Sequence, residues 1–466
     1  MAKRDPEANR ALELRRAKLI GLALFCCYAY FFYLGGNWNV ESRNAQIFAL
    51  AERGTLVIDS YPLLPPGGGD AARYQGHYYS DKLLGPSLVA VPFYWAARHA
   101  LSAGGLDFRH SVYFALRLTN VLTNAIPSAL LAALLYLFLS ELGLDPRLRA
   151  WLAFTYGLGT LAFPYSTVLF GHQLAAVAIA FAFMLLWRQR EEWSNRRALA
   201  ASAFAGLAAI SDAMGLFLAA FLGFYALWLA AQHRGASATA RRILPFALIA
   251  LAIFAIQLAA NWSSFGNPLT FPHMYHAQAA FRARHTSGFF GIHAPQLYPL
   301  YQLTVGPWRG LFYGSPVLLL ALPGFFLLGR KWRAEALLIA ASWLCILLLN
   351  SGYENWTTGS AYGPRYQIVA LPLLLFALAP AAQRWTLVFK TLALISIAFT
   401  TIVTAQTPLL PEDLRNPLAN ALAQFAQGGL LQGNVGMLFG LPGLSSLLPL
   451  ALIEAAILYL LRRTSS

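Results

Sequence analysis

Residues 74–95 read YQGHYYSDKLLGPSLVAVPFYW, and the apolar part of this stretch continues to residue 97. Whether 83–97 crosses a membrane decides how the chain is threaded, since one crossing more or less inverts everything after it. A spanning helix needs ~20 apolar residues to cover ~30 Å of hydrocarbon. This run is shorter, begins with Gly85-Pro86 and is interrupted by Pro92, which removes a helical hydrogen bond. It reads as an amphipathic helix or re-entrant segment at the outer boundary. Asp81 and Lys82 are then placed where water meets the membrane.

The rest of the chain supports that reading. Of 466 residues 58% are hydrophobic and only 11% charged, with mean hydropathy +0.53, a composition foreign to soluble globular proteins. Spans are expected near 18–36, 113–141, 150–165, 172–188, 199–212, 214–231, 243–262, 311–329, 334–350, 368–382, 387–405 and 438–461. The net charge of +15 does not indicate nucleic acid: 22 of the 34 Lys and Arg fall in short connections between apolar runs. Such clusters mark the cytoplasmic side. The expected fold is all-α, a polytopic membrane helical bundle of about 12 spans with external juxtamembrane helices.

Both termini are expected in the cytoplasm. The basic arm 1–17 precedes an uncleaved first anchor, and 18–466 forms one integral membrane domain. The external stretches are 37–112, 155–173, 261–310 and 350–367, all richer in Gly, Pro and aromatic residues than the cytoplasmic ones. Binding and catalysis concentrate on such loops. Cys26, Cys27 and Cys345 lie in apolar runs without metal-ligand spacing and read as small core residues.

The external region opens with NWNVESRNAQIFALAERGTLVIDSY, residues 37–61. Val40, Ile47, Phe48 and Ala51 share one helical face, with Asn39 as expected N-cap and Glu41 and Arg43 in the first turn. An acid there also simply favours a helix N-terminus. Val40-Glu41-Ser42-Arg43-Asn44-Ala45-Gln46-Ile47 resembles the Asp-Glu-x-Arg-Tyr-Ala-x-Ile pattern after the first span of membrane glycosyltransferases of the GT-C fold, among them protein O-mannosyltransferases and the aminoarabinose transferase that modifies lipid A. Tyr78-Tyr79-Ser80-Asp81-Lys82-Leu83-Leu84-Gly85 resembles their aromatic–acidic–Lys-Pro element. Trp308-Arg309-Gly310-Leu311 and Gly363-Pro364-Arg365-Tyr366 are similar to elements of bacterial proteins of this class. One departure stands out: Val40 occupies the position of the usual catalytic Asp.

The resemblance implies a sugar donor on a polyprenyl phosphate, an acceptor it does not identify, and transfer with inversion outside the cytoplasm, in a bacterial inner membrane. Such chemistry needs a carboxylate to take the acceptor proton, with Glu41 the first candidate and Asp81 and Asp59 the alternatives. It needs cations for the departing phosphate, for which Lys82, Arg365, Arg309 and Arg43 are available. His77, Tyr79, His172, Trp356 and Tyr366 are candidates for substrate contact. Each has a plainer reading: solvated loop groups for His77 and the Asp81-Lys82 pair, backbone hydrogen bonding for His172, interfacial anchoring for Arg309, Arg365, Tyr366 and Trp356. Asp212 reads as a turn residue. No resident cofactor is expected; a divalent metal stays open, although no carboxylate cluster in the sequence argues for one. The competing class is a transporter or flippase of lipid-linked glycans, which would more often show internal repeats and midplane charges.

Overall fold

The computed structural model describes residues 6–33, 36–232, 235–430 and 433–464. Lys3 and Arg4 of the basic arm, and Arg234, lie outside the described residues. Helices dominate because a backbone in hydrocarbon must bond to itself. They begin with α1 (Pro6–Tyr30), α2 (Trp38–Phe48), α3 (Gly85–Ala103) and α4 (Phe108–Phe138). Next come α5 (Pro146–Leu158), α6 (Ala162–Ser166), α7 (Gly171–Trp187), α8 (Asn195–Ser211), α9 (Ala213–Ala231) and α10 (Ala236–Phe265). Short helices α11 (Ala279–Thr286), α12 (Leu297–Thr304) and α13 (Leu311–Gly314) lead to α14 (Ala321–Gly329), α15 (Arg333–Gly352), α16 (Leu371–Arg384) and α17 (Thr386–Gln406). The chain ends with α18 (Pro417–Ala426), α19 (Val435–Leu438) and α20 (Leu448–Arg463).

Each expected span falls on a helix, and among the described residues eight helices are long and apolar enough to cross a membrane. The others are shorter or carry more charge. The run 150–165 breaks after Leu158 and resumes as α6, and 18–36 ends its helix at Tyr30. The bundle has an inside and an outside: the spans containing α7 and α16 are 83% buried, those containing α10 and α20 only 11%. A helix apolar all round and buried is core, whereas one apolar and exposed faces lipid. Small residues let backbones close up in such bundles. At Gly324 of α14 an added Cβ would strike the Ala377 carbonyl of α16.

Between α2 and α4 the chain forms the platform that carries the candidate site. Helix α2 starts two residues earlier than its apolar pattern suggests, and its cap is Asn37, not Asn39: Asn37 Oδ1 accepts from the backbone N–H of Asn39 and Val40. A five-residue π-turn, Ala49–Arg53, continues it. Two short strands absent from the all-α expectation follow, β1 (Phe31–Phe32) having already left α1; they are β2 (Ala71–Tyr74) and β3 (His77–Ser80), an antiparallel hairpin. Its two-residue turn holds Gln75 and Gly76 at φ of 50° and 90°, the geometry that matches the twist of paired strands. Near the other end, β1 pairs with β4 (Gly433–Asn434). Helix α3, the run questioned at the outset, has 19 residues, but it is not among the helices apolar enough to span.

Candidate active site

The hairpin delivers Asp81 and Lys82 to a charged cluster. Lys82 Nζ donates to Asp81 Oδ2 at 2.8 Å and to Asp70 Oδ2 at 2.9 Å. Asp70 immediately precedes β2 and Asp81 immediately follows β3, so the register that pairs Ala71 with Ser80 also faces the two carboxylates across the hairpin mouth. His276 completes the group, its Nε2 3.8 Å from Asp70 and 3.9 Å from Asp81. Its Nδ1 accepts from the Gln278 N–H, leaving a neutral ring to carry its proton on the nitrogen facing the carboxylates. Ser42 of α2 bonds Asp81 from the other side at 3.2 Å.

Burial works against ionisation of both acids. For Asp70 the Lys82 ammonium and His276 outweigh it and hold the carboxyl well below the usual range. Asp81 is enclosed more fully, with 8% of its side chain exposed against 19% for Asp70, and burial pushes it up. The neighbouring loop adds His273 and His285, whose rings lie 5.0 Å apart. Burial, then nearby cations, keep both neutral, pulling His273 down to about 4 and His285 to about 3. Tyr353 reaches His285 Nδ1 at 2.6 Å and packs on Tyr366 at 5.9 Å.

Beside this cluster stand two arginines of another character. The guanidiniums of Arg43 and Arg365 lie over the ring of Phe170 at 5.8 and 5.2 Å from its centroid. Arg43 bonds Asn39 Oδ1 at 2.8 Å, but the Nε atoms of both arginines are buried without a partner. Among the described residues neither forms a carboxylate ion pair. Burial lowers the Arg43 guanidinium to about 10, which leaves it charged at neutral pH. His172, the second residue of α7, contacts Tyr366 at 5.4 Å and pairs with Asp212, the residue between α8 and α9. Two glycines let these segments converge on the end of α8. An added Cβ at Gly85 would lie 2.6 Å from Ser211 Oγ and 2.7 Å from the Ile210 carbonyl; one at Gly171 would strike the Ser211 carbonyl.

Fold and sequence therefore bring together Lys82, Asp81, Arg43, Arg365, His172 and Tyr366. Other candidates are engaged elsewhere. Glu41 is 4% exposed and turned toward α4: Arg117 Nη2 is 2.9 Å from its Oε1, and Tyr61 and Asn44 donate to Oε2 at 2.7 and 3.3 Å. Asp59 and His77 pair at the surface at 2.7 Å, with Asp59 also accepting from the Tyr78 N–H. Tyr79 packs on Phe265 of α10 at 5.3 Å, lining a small cavity shared with Lys82, Gln257 and Asn261. Arg309, 1% exposed, clamps a loop by donating to the carbonyls of Thr357 and Gly359 at 2.9 and 3.0 Å. Trp356 sits edge-on to Trp308 at 5.0 Å in that same loop.

Asp70, His276 and Arg117 escaped the sequence reading, and Asp212, read as a turn residue, does lie in the α8–α9 turn but is also paired with His172. The signal for Arg117 was available, because a charge inside an apolar run needs a partner. For Asp70 it was the Tyr74-Gln75-Gly76-His77 turn, which faces whatever precedes one strand against whatever follows the other. Folding also creates the carboxylate cluster that the sequence did not show. Ligand atoms of Asp70, Asp81 and His276 lie within 4.8 Å of one another, and two carboxylates with an imidazole suit a divalent cation. Lys82 already supplies a cation to both carboxylates, so a metal fits only with the ammonium displaced.

Among solved structures the chain is similar to ArnT from Cupriavidus metallidurans bound to undecaprenyl phosphate, with a TM-score of 0.54, 15% identity, and coverage of 99% of this chain and 77% of that one. This is the GT-C fold. No protein-family model matches the sequence, and no curated protein matches it significantly. The chain is an integral membrane protein, with its charged cluster gathered at one end of a GT-C helical bundle.

Proposed function

We propose that this protein is a membrane glycosyltransferase that moves a sugar from a polyprenyl-phosphate donor to an acceptor hydroxyl, with inversion. The observation that carries the reading is the pair of arginines over Phe170, buried Arg43 and half-buried Arg365, each with a buried, unpartnered Nε and, among the described residues, no carboxylate ion pair. Buried cations with unmet donors favour an anion, and a guanidinium fork suits phosphate. Lys82 stands in the adjoining cluster, with two of its three N–H donors on Asp70 and Asp81 and the third left for a phosphate. Two or three cations around the leaving phosphate would stabilise the charge that grows on it as the glycosidic bond opens. The aromatic surfaces of Phe170, Tyr353 and Tyr366 offer faces for the sugar. The flippase alternative has no observation of its own to favour it.

On this reading the charged end lies outside the cytoplasm of a bacterial inner membrane, with both termini inside and all of 37–112 external. A cysteine placed at exposed Ser102, in a protein lacking Cys26, Cys27 and Cys345, is expected to react with an impermeant thiol reagent in intact cells; protection there would reverse the topology. The activity itself is tested with purified protein and a panel of polyprenyl-phosphate sugars. Release of polyprenyl phosphate from at least one donor, dependent on an added hydroxyl acceptor, is expected. Transport of an intact donor across vesicles without such release would mark a flippase instead. Chelator and metal-addition arms of the same assay decide whether the Asp70–Asp81–His276 group takes a divalent cation.

A further inference from the structure

Transfer to a hydroxyl needs a group that accepts its proton, and the three carboxylates first considered are poorly placed to do so. Glu41 is committed to Arg117, Asp59 pairs with His77 at the surface, and Asp81 is clasped by Lys82. One titratable pair at this end is arranged as a base with its orienting acid: His172 and Asp212. Asp212 Oδ1 caps α9 by accepting from the Met214 N–H at 2.9 Å, which fixes the carboxylate plane. Its Oδ2 then meets His172 Nδ1 at ion-pair distance, a close contact that is off-line for a linear hydrogen bond. Gly171 makes the approach possible, since any side chain there would collide with the Ser211 carbonyl.

A neutral imidazole with a carboxylate against Nδ1 keeps its proton on that nitrogen and offers Nε2 as the lone pair. Among the described residues no hydrogen bond engages His172 Nε2. The side chains are enclosed, 7% exposed for His172 and 8% for Asp212. The groups facing the ring are Asp212 from the α8–α9 turn, Arg43 from α2, Phe170 from the preceding loop, and Arg365 and Tyr366 at the start of the α16 span. His172 lies 6.0 Å from the Phe170 ring and 5.4 Å from Tyr366; Arg365 lies over the same two rings at 5.2 and 6.0 Å. The base and the phosphate-binding cations thus share two aromatic walls, an arrangement suited to a sugar lying between them.

We propose that His172, oriented by Asp212, is the general base of the transfer. The proposal rests on the glycosyltransferase reading above. In the step, Nε2 takes the proton of the acceptor O–H as that oxygen bonds the anomeric carbon. The bond from the anomeric carbon to the phosphate oxygen breaks, and its electron pair leaves on polyprenyl phosphate beside Arg43 and Arg365. The resulting imidazolium is stabilised by Asp212 and returns its proton to water after product leaves.

With a donor from the panel, His172→Gln is expected to lower kcat by ~100- to 10,000-fold, while binding of undecaprenyl phosphate, used as the probe, is unchanged. Added imidazole should restore part of the rate to His172→Ala. Asp212→Asn keeps the α9 cap but loses the acid behind the ring, so the rising limb of its pH–rate profile should move to lower pH with a lower plateau. If His172→Ala does not fold, that profile decides, and an unshifted limb overturns the proposal. A wild-type rate in His172→Gln overturns it equally. A wild-type protein silent with every donor sinks the glycosyltransferase reading as well, whereas an active wild type beside an equally active His172→Gln sinks the base alone.

Discussion

The two ends of α7 carry similar charges in opposite circumstances. At the Trp187 end, Arg188 and Arg190 meet Glu141 and Glu335 at 3.3 and 3.5 Å, and Arg190 lies over the Trp187 ring. Nearby, Arg149 and Arg16 share Glu13 at 2.6 and 2.8 Å. These basic residues are matched within the chain. At the Gly171 end Arg43 and Arg365 lie over one aromatic ring and, among the described residues, neither forms a carboxylate ion pair, although Asp81, Asp212 and Asp70 are close enough to influence Arg43 electrostatically. A matched charge is explained by folding and targeting. An unmatched buried one is costly unless something else pairs with it, and that asymmetry sets the end proposed to hold phosphate apart from the end whose charges are already paired.

The comparison can be broken most directly at Glu41, which is matched although it lies at the unmatched end. Glu41→Gln strands Arg117, and losing one partner of a buried pair typically costs ~3–5 kcal/mol. We expect a large fall in thermal stability in detergent, with residual transfer in whatever fraction remains folded. A stable but inactive Glu41→Gln would make Glu41 the base and erase the distinction between the two ends.

The next effect is on binding. Arg43→Met and Arg365→Met should each weaken undecaprenyl phosphate binding by ~1.5–3 kcal/mol, the range for hydrogen bonds to charged groups. If both hold one phosphate, the double variant departs from additivity. Arg190→Met, at the matched end, should leave binding untouched; an equal loss there would mean that bulk positive charge, rather than a site, attracts the lipid.

The smallest effect concerns the histidine loop beside the cluster. His273 and His285 have folded pKa values pushed below the ordinary 6.5, so the unfolded chain binds more protons than the folded one as pH falls from there. Stability of the loop is therefore full above about 6.5 and declines toward about 4, the folded value of His273. Proteolysis within 266–293 should accelerate over that window, and His273→Phe should flatten the trend. A pH-independent rate would show that the loop opens without protonating either ring.

Much of the fold was legible because length and apolarity alone set where a helix can lie in lipid, and basic clusters punctuate those runs. Local geometry was less legible. The two-residue shift of the α2 cap from Asn39 to Asn37 turns on one side-chain oxygen, and the β2–β3 hairpin has only four residues per strand, too few for alternation to be distinctive. At the site, Lys82, Arg43, Arg365 and His172 were visible as polar residues where polarity is costly. Their partners were not. Asp70 sits in a Gly-rich loop, His276 in a stretch without periodicity, and Asp212 in what reads as a turn; only tertiary contact reveals that a turn residue is buried against a histidine 40 positions earlier.

The crowding of Gly85 and Gly171 on the last turn of α8 has a mechanical consequence. The segment leading from Lys82 and the helix that carries His172 rest on adjacent carbonyls, those of Ile210 and Ser211, with no glycine side chain between to absorb slip. A slide of α8 along its axis would be felt at both at once, like two beams set on one bearing. Helix α8 packs along the outward-facing α10, so on the proposed reading a change in how lipid presses on α10 is expected to reach the spacing between Lys82 and His172, and turnover compared in bilayers of different thickness would register it.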